Sequence, residues 1–470
     1  MESSGVAFGT SGARGLVSAM TDEVCSAYTH AFMSTMRRQG FDFKQVAIAI
    51  DLRPSSPRIA DACANLLRKL GIDVIFCGAI PTPALALFSQ QLQIPGLMVT
   101  GSHIPFDRNG LKFYRPNGEI SKADEAMMLS CDVPLCPKQA PSAGLPVEDL
   151  SAKLGYMQRY KDLLGRQSLL GLRLALYQHS SVGRDLMLQL FTDLGAEVIC
   201  LERSDTFVPI DTEAVSERDV KRGLQWARNY QVDAIVSTDG DGDRPLLSDE
   251  KGRWLRGDIV GLMTARALNI PHLAVPVSCN SAIETSGFFQ TVLRTRIGSP
   301  YVISGMEALQ QQGASQVAGF EANGGFLLGS YLADFPALKP LPTRDALLPV
   351  IVLLAQIRLQ NKPLSTMVSD LPSRFTASDR VQDFPSNKSL ALIAHWTSNP
   401  EQIIEIFKLN DQITKLDSTD GLRVSLTSER VLHLRPSGNA PEFRCYVEAS
   451  SQKDAYQFLS HVMLQLADCI

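Results

Sequence analysis

The chain has 470 residues, of which 45% are hydrophobic and 20% charged, with a net charge of −4. That length exceeds one ordinary core and predicts about three or four globular domains. The small net charge excludes the strong basic excess of a nucleic-acid binder, so an anionic ligand has to be held by local arginines.

Residues 1–5 carry neither the charged nor the apolar block of a signal peptide. Residues 46–51 are a β-rich apolar run. A turn through Arg53 and Pro54 follows, then a helical pattern over 58–70 with Ile59, Ala62, Cys63, Leu66, Leu67 and Leu70 on one face. Gly71 stops that helix, and residues 72–76 begin a new strand. The same order returns as a strand at 172–177, a turn at 178–181, a helix at 184–194, the breaker Gly195 and a strand at 196–200. A third pass predicts a strand at 273–277, a turn at 278–281, a helix from Ala282 to Thr295 and, after Gly298, a strand at 301–303. Each unit spans about 30 residues, the length of a strand–helix–strand unit, with its polar turn at the ligand-facing edge of an α/β sheet. The irregular spacing excludes a solenoid.

The longest apolar stretch, residues 347–357, is far too short to span a bilayer and reads as a buried helix. The tail differs. Residues 422–426, 431–435 and 443–449 alternate like antiparallel strands, and a helix over 453–468 closes the chain. The expected fold class is α/β: three similar α/β domains in series, at roughly 1–150, 151–255 and 256–372, plus a smaller C-terminal α+β domain at 373–470. Pro134, Pro137, Pro141 and Pro146 mark the first boundary. Nine scattered cysteines, with only Cys131 and Cys136 close together, read as reduced thiols, and the seven histidines show no zinc spacing. The expectation is a soluble cytoplasmic protein with no membrane contact.

Four separated segments look built to handle a phosphate. Thr100-Gly101-Ser102-His103 follows the apolar run 95–99, so Ser102 falls on a loop at a strand's carboxyl end. The glycine lets a bulky anion approach, and downstream Asn109-Gly110-Leu111-Lys112 supplies a turn and a cation within one loop. A hydrogen-bonded turn is the plain alternative for this Ser-His pair. Asp239, Asp241 and Asp243 alternate with glycines after the strand at 233–237, with Arg244 next. Three carboxylates so close repel one another unless a cation sits among them, and all-oxygen ligands suggest Mg²⁺ or Ca²⁺ rather than zinc. Glu250 falls where a calcium hand has its last ligand, but Arg244 replaces the required glycine and a strand leads in. A phosphatase with Asp239 as nucleophile is the stronger rival.

Glu321 and Asn323, in a glycine-rich loop, offer an acceptor and an amide to sugar hydroxyls. Arg435-Pro436-Ser437-Gly438-Asn439, with Arg444 beyond, reads as an anion nest or, more plainly, a hairpin turn. A hydroxyl nucleophile, a carboxylate cluster, a polar loop and a basic loop are the parts phosphoryl transfer needs. Their separation along the chain implies several domains closing around one central cleft.

In this order, and with Phe8-Gly9-Thr10-Ser11-Gly12-Ala13-Arg14-Gly15 ahead of them, these segments resemble the α-D-phosphohexomutase superfamily. The resemblance implies an isomerase that exchanges hexose 1-phosphate and hexose 6-phosphate through a phosphoserine and a hexose 1,6-bisphosphate, with Mg²⁺ as cofactor, as a monomer or homodimer. Carried over by position, Ser102 is the phosphoserine with His103 beside it. Asp239, Asp241 and Asp243, joined by Ser102, are the metal ligands, and Arg244 lies beside their loop. Arg14 and Lys112 help at the transferring phosphate. Glu321 and Asn323 contact the sugar, and Arg435, Ser437, Gly438, Asn439 and Arg444 grip the other phosphate.

The Glu321–Gly325 loop and the turn at 178–181 look most like the phosphomannomutase branch, with phosphoglucomutase and phosphoglucosamine mutase as alternatives. There are departures. Gly101 and Ile104 stand where the family often has alanine and asparagine, and Asn439 and Ala440 replace a Thr-Glu pair. Gly325 occupies a position that in many members is a histidine beside the sugar, which leaves Lys112 or His103 to serve in its place.

Overall fold

A computed structural model describes residues 4–9, 11–133, 143–165, 167–437 and 442–468. Four sheets follow one another along the chain. In the first, of seven strands, Gln45–Ile50 runs parallel to both Asp73–Ala79 and Gly96–Val99. Alternation along Gln45–Ile50 sends Val46, Ile48 and Ile50 into one apolar core and Ala47 and Ala49 into another. Helices therefore cover both faces, as a parallel strand pair requires. Ser56–Lys69 and Asp22–Arg38 pack on the first side and Thr82–Leu92 on the second.

One local pattern positions the site, and it occurs three times. After Gly96–Val99 the chain loops and returns antiparallel on Arg108–Arg115, so Asn109 to Lys112, expected as a turn within the loop, lie instead on the strand, where pairing on both sides holds them extended. Ala234–Thr238, which is parallel to Arg173–His179, likewise loops back on Pro245–Leu247. Val317–Phe320, parallel to His272–Pro276, loops back on Phe326–Leu328. The three loops carry Ser102, the aspartates 239–243 and Glu321 respectively, each at the carboxyl end of a parallel strand. The fourth sheet is wholly antiparallel, in the order Phe375–Val381, Phe443–Ala449, Val431–Pro436, Leu422–Leu426, Ile413–Asp417.

The third predicted unit is corrected. Only Ala282–Thr285 is helical, Thr291–Thr295 is a strand parallel to His272–Pro276, and residues 301–303 lie inside the helix Ser299–Gln311. Gly287, at φ 68°, breaks the expected helix, and the β-branched Thr291, Val292 and Thr295 suit a pleated edge. Pro300 in the first turn starts the next helix, whose buried Val302, Met306 and Leu309 keep helical spacing. The apolar run at 347–357 is the buried core of the helix Leu347–Gln360. Among the described residues no helix is long and apolar enough to cross a membrane. Pro134, Pro137 and Pro141 lie outside the described residues.

Two buried histidines make stability depend on pH. His179 and His433 bond backbone carbonyls of Thr238 and Asp420, and burial lowers each imidazole to about 4. Below the ordinary histidine range the unfolded chain binds protons that the folded chain refuses, so stability falls as pH drops from about 6.5 toward 4. Urea midpoints at pH 7 and pH 5 should show a loss of about 2 kcal/mol per histidine, smaller in the His433→Gln variant.

Candidate active site

Ser102 is fully buried and sits in the left-handed region at φ 54°, a conformation that strains any side-chain-bearing residue. Two residues outside the motif impose it. Asp51, at the end of Gln45–Ile50, accepts from Thr100 Oγ1 (2.8 Å), Ser56 Oγ (2.6 Å) and the Gly101 amide (3.3 Å). Arg53 pairs with Asp51 and donates to the carbonyls of Ser102, Ile104, Pro105 and Arg108 at 2.5–2.9 Å. Its guanidinium also stacks on Phe207 of the next sheet's segment, 3.9 Å from the ring centre. A Cβ on Gly101 would come within 2.5 Å of Arg53 Cζ, which explains the glycine there. A strand-end aspartate followed by an arginine in a polar turn was the available signal.

The loop brings its serine to the acidic cluster. Ser102 Oγ donates to Asp239 Oδ2 at 2.7 Å and lies 3.3 Å from His103 Nδ1. Arg244 Nη1 donates to the same Nδ1 at 3.1 Å. The Arg244 charge, reinforced by burial, lowers His103 to about 2, so the imidazole is neutral at physiological pH.

Asp239, Asp241 and Asp243 are buried, and oxygens of all three lie within 4.8 Å of one another. Asp239 Oδ1 accepts the amides of Asp243 and Arg244, both at 3.2 Å. Asp241 Oδ2 accepts from Thr82 Oγ1 (2.6 Å) and from Lys112 Nζ (2.5 Å), which also donates to Asp243 Oδ2 (2.6 Å). Burial and the two neighbouring carboxylates raise Asp239 well above the usual range. Burial opposes ionisation of Asp241 too, but the Lys112 ammonium outweighs it and holds that carboxyl low. Oδ1 of Asp241 and Oδ1 of Asp243 are buried with no hydrogen bond. Unsatisfied carboxylate oxygens beside a third carboxylate and a hydroxyl form an all-oxygen donor set that fits a hard divalent cation.

The remaining expected residues fall into two groups. Arg14 is close enough to Arg244, Arg344, Asp241 and Asp243 to feel their charges, and burial ahead of the two arginines lowers it to about 10. Glu321 Oε2 pairs with Arg344 Nη1 at 3.2 Å, and Asn323 Oδ1 accepts the Gly325 amide at 3.0 Å. Arg435 and Arg444 belong to the fourth sheet, directly opposite each other, and Arg380 stands opposite Arg444 on the next strand. Like charges in one cross-strand row repel, so the row suits an anion. Glu442 meets Arg380 at 3.4 Å and Arg444 at 3.1 Å, and Asp420 lies 3.6 Å from Arg435. Ser437 follows that strand, while Gly438 and Asn439 lie outside the described residues. Arg380, Arg444 and Tyr446 face Asp211, Glu213 and Arg256 across a cleft of about 310 Å³. Sequence reading missed Asp51, Arg53, Thr82, Arg344 and Arg380, because each lies outside a glycine-marked loop.

Replacing Arg53 by Met removes the partner of a buried carboxylate and four carbonyl contacts. The expected loss is about 3–5 kcal/mol of stability by urea titration, with a fall in any Ser102-dependent activity.

Comparison with known proteins agrees with this arrangement. Residues 5–129, 155–252 and 256–375 match alpha/beta/alpha domains I, II and III of phosphoglucomutase/phosphomannomutase. A Salmonella muenchen phosphomannomutase is 50% identical over 98% of this chain and 95% of its own length. A Sinorhizobium fredii phosphomannomutase is 42% identical over 97% and 98%. A phosphoglucosamine mutase of Alkalilimnicola ehrlichii is 26% identical over 95% and 94%. A solved phosphoglucomutase/phosphomannomutase family protein from Burkholderia thailandensis shares the fold, with a TM-score of 0.74 at 20% identity over 97% of this chain and 96% of that one. With its hydroxyl set against an acidic triad and its sequence matched end to end, the chain belongs to the phosphoglucomutase/phosphomannomutase family of phosphohexomutases.

Proposed function

We propose that this phosphohexomutase interconverts mannose 1-phosphate and mannose 6-phosphate through a phosphorylated Ser102 and a hexose 1,6-bisphosphate. The observation that carries the chemistry is the 2.7 Å contact between Ser102 Oγ and Asp239, at the edge of a triad with two unsatisfied oxygens. The higher identity to phosphomannomutases than to the phosphoglucosamine mutase supports the sugar.

In this reading Asp239, Asp241, Asp243 and the phosphorylated Ser102 would hold Mg²⁺, which supplies positive charge to the phosphoryl oxygens. A phosphoserine carries roughly −1.5 to −2 charge at neutral pH, so a second phosphate approaches only where cations oppose it. Lys112, Arg14 and Arg244 provide them. The phosphoryl group leaves Ser102 Oγ for a sugar hydroxyl, the bisphosphate turns end for end, and its other phosphoryl group returns to Ser102. Neutral His103, oriented by Arg244, lies beside the serine hydroxyl. Glu321 and Asn323 contact the sugar. Arg435, Ser437, Gly438, Asn439 and Arg444, joined by Arg380, hold the phosphate that is not being transferred. Placing that anion site on a separate sheet allows the cleft to open for reorientation and to close against water.

Ser102→Ala should abolish turnover while circular dichroism and melting remain native; native-like activity would remove the serine from its role. The labelled phosphoenzyme should survive hydroxylamine, which cleaves an aspartyl phosphate. Side-by-side coupled assays should show at least tenfold higher kcat/KM with mannose 1-phosphate than with glucose 1-phosphate, and the reverse order would overturn the proposed sugar. Arg435→Ala and Arg380→Gln should raise KM about tenfold with little change in kcat, since a distal phosphate contact is common to ground and transition states.

A further inference from the structure

Arg344 lies in the strand Leu341–Asp345, buried, and its guanidinium reaches three separate stretches of chain. Nε and Nη2 meet Asp243 Oδ2 at 3.0 and 2.9 Å, Nη1 meets Glu321 Oε2 at 3.2 Å, and Nη2 donates to Ser11 Oγ at 3.3 Å. It is raised well above the usual guanidinium range: burial opposes its charge, but Asp243 and Glu321 outweigh that cost.

Position 325 is what lets the side chain run there. Phe326 pairs with Asp345 across adjacent antiparallel strands, and Gly325 and Arg344, one residue before each, meet diagonally through the arginine stem. A Cβ on Gly325 would stand 2.6 Å from both Cγ and Cδ of Arg344 and 2.9 Å from its Cβ. Those are stem atoms anchored to a strand. They cannot swing aside without withdrawing the guanidinium from its carboxylates. The stem of Arg344 thus fills the volume that any side chain at 325 would need.

Charge explains why an arginine is placed there. Asp239, Asp241, Asp243 and Glu321 bring four carboxylates into one buried region, and Lys112, Arg14, Arg244 and Arg344 bring four cations. Lys112 holds Asp241 and Asp243 together within the metal loop. Arg344 joins that loop to Glu321 on the third sheet, and its fork can serve two carboxylates at once where an ammonium could not hold both in one plane.

We infer that Gly325 and Arg344 act as one unit, in which the missing side chain at 325 admits Arg344 as a positioning residue that locks Asp243 and Glu321 in register for phosphoryl transfer. The catalytic part of this inference rests on the mutase reading; the pairing of the two positions does not.

A double-mutant cycle tests both parts, using Gly325→Ala, Arg344→Ala and the combined variant. Gly325→Ala should lower kcat at least tenfold in the native background and less than twofold when Arg344 is already alanine, with KM for the hexose phosphate moved less than threefold. Equal factors in the two backgrounds would overturn the pairing. Arg344→Lys should recover at least tenfold of the kcat lost in Arg344→Met, and equal activity of those two variants would overturn the charge-bridging role. Urea midpoints of the metal-free proteins in EDTA should show the same non-additivity, and additive shifts there would overturn the pairing even if the protein proved to act on no hexose phosphate. Where Arg344→Ala does not fold, the cycle is closed with Arg344→Ser, which lacks the Cγ and Cδ that a side chain at 325 would strike and should cut the Gly325→Ala effect at least threefold; an undiminished effect overturns the inference.

Discussion

Mutual repulsion among three buried carboxylates is the constraint around which the rest of the molecule is arranged. Asp239, Asp241 and Asp243 could not be withdrawn from water in one loop without compensation, and among the described residues their own sheet supplies Arg244 and backbone amides. The main cations come from elsewhere. Lys112 enters from the first sheet and Arg344 from the third, while Thr82 donates from the start of a first-sheet helix. Three sheets are held in register because one electrostatic cluster has to be completed by all of them. The incomplete part, two buried oxygens with no donor, is where a divalent ion fits.

The serine loop shows the same economy at the level of the backbone. A left-handed Ser102 in a loop of successive carbonyls would drift without fixing, and Arg53 fixes it by collecting four of those carbonyls on one guanidinium. Asp51 neutralises Arg53 and at the same time binds Thr100 and the Gly101 amide. One buried ion pair therefore sets both the loop conformation and the direction of the hydroxyl toward Asp239. The stacking of Arg53 on Phe207 carries that rigidity into the second sheet's segment.

The fourth sheet contributes differently. Its arginines 380, 444 and 435 form a cross-strand row with glutamate and aspartate counter-ions at the margin, and Arg380 and Arg444 line a cleft that also includes Arg256. A near-neutral chain can thus offer strong local attraction to a phosphate without a global basic field. Under the proposed function, separating this arginine row from the acidic cluster would let one ligand with two charged ends be held at both.

The motifs alone determined the order of the loops and the α/β character of the first three sheets, because glycine-marked turns after apolar strands are local signals; the serine beside the aspartates followed only from the family resemblance, and the fold brings the two together across 137 residues. Local signals also misled. Thr291–Thr295 became a strand and 299–311 a helix, since pairing beside His272–Pro276 overrode the helical reading of that segment. Thr82, Arg344 and Arg380 were illegible in the sequence for a different reason. Thr82 and Arg344 take their meaning from aspartates 159 and 101 residues away, and no spacing rule marks an arginine whose counter-charge arrives from another sheet. Gly325 is the clearest instance: as a letter it reads as a lost side chain, and only packing shows the stem of Arg344 lying where that side chain would have been.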